Sequence, residues 1–328
     1  MLTTRAMRLG QPISIVGLGC WQLGGDWGAV DDERSQAILS AAADSGVTFF
    51  DTADVYGDGR SEKAIGRFLK GRSDRERFTV ATKMGRRASP HVPEAYSLDN
   101  YRSWTDRSRK NLGVESLDLV QLHCPPSEVL SQPQTYENLE ALVDEGRVKR
   151  VGVSVESCEQ ALIAIAEPIV ASIQIILNLF RRKPLERVMG EAHAAGAAII
   201  ARVPLASGLL SGRFDSETVF PSDDHRNYNR NGEAFDIGET FAGVPYGVGV
   251  EAAQEVAALT PPGWTTAQFA LRWVVDQGVA TVIPGASSPE QAQANAAVGD
   301  LPSIDEETQA ALAEIYHRSI REHVHSRW

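Results

Sequence analysis

Short apolar runs alternate with amphipathic stretches from one end of the chain to the other. Runs at Ile15–Leu18, Val47–Asp51, Phe78–Lys83, Leu117–Leu122, Val148–Val153, Ser172–Leu177, Ala197–Arg202 and Val279–Ile283 have the length of strands. Between them the apolar positions take helical spacing. Ala64, Ile65, Phe68 and Leu69 share one face, as do Leu139, Leu142 and Val143, and Leu185, Val188, Met189 and Ala192. Alternation of this kind predicts a parallel sheet covered by helices, an α/β fold. Eight units suit a closed (β/α)8 TIM barrel better than an open sheet. No low-complexity linker interrupts the pattern, so residues 1–328 read as a single barrel domain.

Two segments depart from the repeat. Met1–Gln11 precedes the first barrel strand and reads as a short hairpin closing the bottom of the barrel. Residues Val203–Tyr246 form a long polar loop after strand 7, rich in glycine and asparagine, of a length often found in lids and binding loops. Helical patterns follow at Val248–Leu259 and Thr266–Gln277. Ser303-Ile304-Asp305-Glu306 reads as a capping box opening a C-terminal helix, and a basic tail, Arg318–Trp328, follows it.

Composition narrows the class. The net charge of −11 opposes non-specific binding to nucleic acid or an anionic membrane. No run approaches the roughly 20 apolar residues of a membrane span, and there is no apolar signal core. Cys20, Cys124 and Cys158 are too few and too scattered for a disulfide framework, and no Cys-x-x-Cys pair is present. The expectation is a cytoplasmic protein without metal.

In such barrels the active site sits where strands end. Asp51, Lys83, His123, Ser154, Gln174 and Arg202 all fall at or near strand C-termini. Tyr56 follows Asp51 in a glycine-bounded turn, Phe50-Asp51-Thr52-Ala53-Asp54-Val55-Tyr56-Gly57. Asp, Tyr, Lys and His together can make a proton-donating tyrosine. A phenol of pKa about 10 is a poor acid near neutrality, and a nearby ammonium lowers that value. Lys83 supplies the ammonium, Asp51 holds Lys83, and His123 offers a hydrogen bond to a substrate oxygen. Each residue alone has a structural explanation: a cap, a half-buried ring, a snorkelling lysine, a strand-end polar group. The joint pattern points to reduction of an aldehyde or ketone by hydride transfer.

An ordered set of motifs then carries a family likeness from about Ile13 to about Leu312. It consists of Gly17-Leu18-Gly19-Cys20-Trp21, the Asp51–Gly57 run with Ser61-Glu62, Thr82-Lys83, Leu117-Asp118-Leu119 and Gln121-Leu122-His123. Gly146-Arg147-Val148, Gly152-Val153-Ser154, Pro204-Leu205-Ala206-Ser207-Gly208 and Ile283-Pro284-Gly285 complete it. The chain resembles the aldo-keto reductases. The resemblance implies a TIM barrel, NADPH-linked carbonyl reduction and the tetrad Asp51, Tyr56, Lys83 and His123.

By the same resemblance, Ser154 and Gln174 hold the nicotinamide carboxamide. The neighbouring asparagine of relatives is Val155 here, and the ring-stacking aromatic at the end of strand 7 is Arg202, whose planar guanidinium can also lie against a ring. The pyrophosphate is expected along Leu205, Ser207, Gly208, Leu210 and Gly212, with charge from Arg213. Gly285 leads into Ser287, Ser288 and Pro289, where Ser288 reads as an N-cap and Pro289 as the first helical residue. A helix start attracts phosphate, yet positions 287 and 288 are serine where relatives carry a cation for the 2′-phosphate. Gln291 and Asn295 match positions near the adenosine. NADPH is the expected cofactor, with NADH possible. Trp21 and Trp27 are the expected substrate contacts.

Other readings carry less weight. Gly17-Leu18-Gly19-Cys20-Trp21-Gln22 fails as a Rossmann fingerprint, because Gln22 occupies the third glycine position. Asp54–Glu62 lacks the spacing of a calcium loop. A metal-dependent hydrolase needs converging His and carboxylate ligands, and the strand ends offer one His. The rival from another class is a cofactor-binding regulatory protein similar to a channel β subunit, with little turnover. The oligomeric state is not legible.

Overall fold

The computed structural model describes residues 4–5, 8, 10–25 and 31–328. Eight strands form one sheet: β1 (Leu18–Gly19), β2 (Phe49–Asp51), β3 (Thr79–Met84), β4 (Leu119–His123), β5 (Val151–Ser154), β6 (Val170–Ile176), β7 (Ala198–Arg202) and β8 (Thr281–Val282). Each pairs in parallel with its sequence neighbour. The sheet closes on itself between the first and last strands. Gly17 N donates to Val282 O at 2.8 Å, Gly19 N to Pro284 O at 3.0 Å, and Val282 N to Ile15 O at 3.0 Å. The expected TIM barrel is therefore present. Ile15–Gly17, expected as strand, contribute these seam bonds ahead of β1 rather than a regular ladder.

The helices are α1 (Asp32–Asp44), α2 (Arg60–Lys70), α3 (Leu98–Leu112), α4 (Pro133–Asp144), α5 (Cys158–Ile165) and α6 (Val188–Ala195). After them come α7 (Tyr246–Ala258), α8 (Thr266–Asp276), α9 (Pro289–Ala296) and α10 (Glu306–Ile315). Thr4–Arg5 pairs antiparallel with Ile13–Ser14, so the expected N-terminal hairpin draws its second strand from beyond Gln11. Leu185 sits in a separate 3-10 turn, Lys183–Leu185, ahead of α6. The cap of α10 is Asp305, which accepts from Thr308 N at 2.8 Å, while Ser303 instead accepts a bond from Arg272. A carboxylate two residues closer to the helix outcompetes the hydroxyl. The loop after β7 is not structureless: it contains turns at Ala206–Ser211, Ile237–Glu239 and Phe241–Gly243 and a short helix, His225–Tyr228.

Period-two alternation sorts the strand residues. Outward positions such as Phe50, Val80, Val120 and Ile199 join the layer beneath the helices. Inward positions Phe49, Ala81, Leu119, Ala198 and Ile200 make a separate apolar plug inside the barrel. One pleat further along the same inner face stand Asp51, Lys83, Gln121 and Arg202, with His123 another pleat on in β4. An inner face that begins apolar and ends polar delivers its polar groups to the barrel mouth.

Candidate active site

The mouth opens into a cavity of about 770 Å³. At its base, Lys83 is 1 % exposed and donates to Asp51 Oδ1 at 2.5 Å, to Thr52 O at 2.9 Å and to the Tyr56 hydroxyl at 3.4 Å. Parallel pairing staggers β2, β3 and β4, so Asp51, Lys83 and His123 converge although they come from three strands. His123 lies edge-on to Tyr56, with ring centroids 6.0 Å apart. Asp51, Tyr56 and His123 line the cavity, and Lys83 stands behind them. The four residues expected to handle a proton are thus together.

The turn carrying Tyr56 is fixed from several sides. Ser61 Oγ donates to Cys20 O and accepts from Thr52 Oγ1, both at 2.8 Å. Glu62 accepts from Thr82 Oγ1 at 2.6 Å and from Asn111 at 2.8 Å. The Ser61-Glu62 motif is therefore a tie between α2 and the strands. Gly57 has φ of +57°, and a Cβ there would lie 2.1 Å from Gly24 O. Only glycine lets the loop after β1 press against the Tyr56 turn.

The electrostatics depart from expectation in one respect. Lys83 does lower the Tyr56 pKa, but burial outweighs it and the phenol is pushed up to about 12. A buried phenolate loses more hydration than one ammonium at 3.4 Å returns. Burial alone would lower Lys83; Asp51 and Tyr56 outweigh it, so Lys83 is held above its ordinary value. Burial, reinforced by Arg86, Lys83 and Arg202, keeps His123 well below the usual imidazole range, hence neutral. His123 Nδ1 is buried without a partner among the described residues, leaving Nε2 as the nitrogen able to meet a ligand.

The expected cofactor residues divide. Gln174, Arg202, Leu205, Ser207, Gly208, Arg213, Gly285, Ser287, Gln291 and Asn295 line the cavity. Ser154, Leu210, Gly212 and Ser288 do not, and Trp27 lies outside the described residues. Ser154 is buried beside Cys124, its hydroxyl 3.9 Å from the thiol. Gln174 Nε2 donates to Asp51 Oδ2 at 2.7 Å, which ties it to the Asp51–Lys83 pair as well as to the cavity. Ser207 Oγ donates to Glu239 O at 3.0 Å and accepts from Phe241 N at 3.1 Å, so its hydroxyl anchors the long loop. Ser288 caps α9 by accepting from Gln291 N at 3.3 Å, as expected.

Arg202 lines the cavity with the edge of its guanidinium held by two partners. Its Nη1 pairs with Glu239 Oε2 at 2.5 Å and its Nη2 donates to Val155 O at 3.0 Å. The backbone bends sharply where the strands end. Cys124, Val203, Ala206 and Ser207 all have φ between 48° and 55°, an uncommon region for residues with a Cβ.

Several cavity residues escape sequence reasoning. Gln22, Arg86, Phe235, Glu239, Thr265 and Gln268 all line it. Arg86 carried a signal, being a cation in the loop after β3. Glu239 and Phe235 carried none, since only the folding of the long loop brings them back over β7. Arg34 of α1 donates to Ser287 O at 2.7 Å, bringing a guanidinium to the start of α9 where the sequence lacks one.

The aldo/keto reductase family model matches residues 15–317. The chain belongs to this family. It is 31% identical to the aldo-keto reductase YhdN of Bacillus subtilis, over 86% of this chain and 83% of that one. Among solved structures, a glycerol dehydrogenase from Gluconobacter oxydans superposes with a TM-score of 0.77 at 31% identity, covering 97% of this chain and 96% of that chain. A Klebsiella pneumoniae aldo-keto reductase, solved in complex with NADPH, shares the fold with a TM-score of 0.73 at 24% identity, over 96% and 95% of the two chains. The protein is thus an oxidoreductase of the aldo/keto reductase type. No helix among the described residues is long and apolar enough to cross a membrane.

Proposed function

We propose that the protein reduces an aldehyde or ketone to an alcohol with NADPH, with Tyr56 as the general acid. The observation that carries this reading is the buried contact of Lys83 with both Asp51 and the Tyr56 hydroxyl at the cavity base. The cavity suits a dinucleotide. It runs from the tetrad past Gln174 and Arg202 to the Leu205–Gly208 turn and on to Gly285, Gln291 and Asn295. Gly208 has φ of +98° and a Cβ there would meet Phe214 at 2.7 Å, so the backbone lies open as a cradle. Arg213 lines the same end and carries positive charge towards a phosphate.

When bound, the nicotinamide supplies a hydride to the carbonyl carbon. The carbonyl π bond breaks and negative charge develops on oxygen. Neutral His123 donates a hydrogen bond to that oxygen, and Tyr56 transfers its phenolic proton to it, completing the alcohol. The phenolate left behind is stabilised by the Lys83 ammonium until solvent restores the proton. Asp51 keeps Lys83 charged and aimed. A phenol with a pKa of about 12 keeps its proton until the alkoxide forms, and an alkoxide is basic enough to take it. The three cysteines are unpaired, in keeping with a reducing, cytoplasmic setting.

Turnover of 4-nitrobenzaldehyde separates this reading from a regulatory protein that only binds cofactor. Tyr56→Phe should abolish that turnover while leaving NADPH binding nearly intact; full activity in the variant would refute the assignment. The ratio of kcat/KM for NADPH and NADH checks the cofactor, and parity would overturn the preference for NADPH.

A further inference from the structure

Beside His123, the cavity wall carries two guanidiniums and one carboxylate. Arg202 takes that carboxylate: Glu239 pairs with it at 2.5 Å. Arg86 is left 3.9 Å from the other Glu239 oxygen, beyond hydrogen-bond reach, and none of its N–H groups finds an acceptor among the described residues. Its side chain is 23% exposed and lines the cavity. Other carboxylates nearby are committed or absent from the wall. Asp51 is held by Lys83, Gln174 and Gln121. Asp236 accepts from Trp328 Nε1 at 3.2 Å. Glu156 does not line the cavity, and burial pushes its own pKa up.

Glu239 at 3.9 Å offsets part of the burial of this guanidinium, but its N–H groups bond to no described residue and would gain from an anion that accepts from them. Arginine stays charged, and its planar fork matches a carboxylate in bidentate fashion. Arg86 also acts on His123: it is the strongest charged contributor to the depressed His123 pKa, ahead of Lys83. The cation therefore stands near the place where a carbonyl would react. The wall beneath Arg86 is aromatic. Trp21 stacks on Tyr56 at 5.8 Å and meets Phe235 edge-on at 6.0 Å, and Phe235 lies 5.8 Å beneath the Arg86 guanidinium.

We propose that Arg86 is a substrate-specificity residue that binds a carboxylate on the substrate, so that the preferred carbonyl compound is an oxo acid with an apolar body. This rests on the reductase reading above and narrows its substrate class. The aromatic wall holds the body, Arg86 holds the acid end, and Tyr56 and His123 receive the carbonyl oxygen.

The test compares 4-formylbenzoate with its methyl ester, which has the same ring and aldehyde but no charge. In the wild type, kcat/KM should favour the acid by about tenfold or more, the range expected of a charge-assisted pair. Arg86→Met should bring the acid-to-ester ratio to near unity, and Arg86→Lys should restore part of it. An ester used as well as the acid by the wild type overturns the proposal. So does an unchanged ratio in Arg86→Met, which would mark a structural role. Calorimetric binding of 4-formylbenzoate to the NADPH-saturated enzyme keeps the two readings apart. Binding that Arg86→Met abolishes, without turnover in either protein, upholds the anion site and sinks the reductase reading. Binding that the variant leaves intact sinks the anion site.

Discussion

Replacing Asp51 with asparagine should reverse the way stability responds to pH. The Asp51 carboxylate accepts from Lys83 at 2.5 Å, from Gln174 at 2.7 Å and from Gln121 at 3.4 Å. Lys83 has only donors, so an amide there offers it at best a neutral oxygen, while the Gln174 and Gln121 amides can turn their own oxygens towards the new N–H. Lys83, 1% exposed, loses its one ion-pair partner among the described residues. Removing one member of a buried ion pair costs about 3–5 kcal/mol, a large share of the roughly 5–15 kcal/mol that holds a protein folded.

In the wild type the folded Lys83 pKa is raised. Its contribution is fully present below the unfolded pKa of about 10.4 and fades only as pH rises through the folded value. In Asp51→Asn, burial is no longer outweighed, and isolated buried lysines fall to pKa values of about 5–6. The folded state then binds fewer protons than the unfolded state between those values and 10.4. Relative to the wild type, the variant should therefore gain stability as pH climbs from neutrality towards 10. Urea unfolding followed by fluorescence at pH 6, 8 and 10 reads this directly. The double variant Asp51→Leu/Lys83→Met, which removes both charges, should recover most of the loss. A cost under about 1 kcal/mol at pH 7, or a stability difference from the wild type that stays constant with pH, refutes the reasoning.

Three further outcomes follow from buried charge and packing. Glu239→Gln leaves Arg202 without its 2.5 Å partner and should cost about 3–5 kcal/mol at pH 7 in urea melts. Burial would raise the Glu239 pKa, but Arg202 and Arg86 outweigh it and hold it low. Its stabilisation is thus present above the ordinary carboxylate pKa and lost as pH falls through the folded value, so the variant and wild type should converge in acid. Asp54 is fully buried, neither carboxyl oxygen has a hydrogen-bond partner among the described residues, and burial with Glu62 nearby pushes it up to about 7. With a raised folded pKa, stability is lost as pH climbs through about 7. Asp54→Asn should accordingly raise the thermal midpoint at pH 8 more than at pH 5, and equal midpoints at both would count against it. Trp328 is 7% exposed, its ring carries the Arg181 guanidinium at 3.7 Å, and its Nε1 bonds to Asp236. Trp328→Ala should cost about 3–5 kcal/mol and speed amide exchange at Phe241–Gly243; unchanged exchange there would show that Trp328 does not hold the loop.

The alternation of apolar runs was enough to predict the barrel, because the two periods, 2 within strands and 3.6 within helices, are local properties of the chain. The same local pattern placed Asp51, Lys83 and His123 at strand ends. In a parallel barrel all such ends face one mouth, so their convergence followed from the fold class. Helix caps were legible where a single side chain decided them, as at Ser288, and misassigned where two competed, as between Ser303 and Asp305. Sequence could not show that burial would raise the Tyr56 pKa against Lys83, since desolvation depends on what covers the ring. Nor could it show that Ser207 would anchor the long loop rather than lie free, or that Glu239 would be spent on Arg202. Those outcomes belong to residues more than 30 positions apart, joined only when the loop folds back over the mouth. The Asp51, Tyr56, Lys83 and His123 cluster was thus set by local pattern and topology, while the charge balance around it, including the long 3.9 Å pairing of Arg86 with Glu239, was decided by tertiary contacts, because electrostatic energy in a dry cavity depends on distance and burial and not on order along the chain.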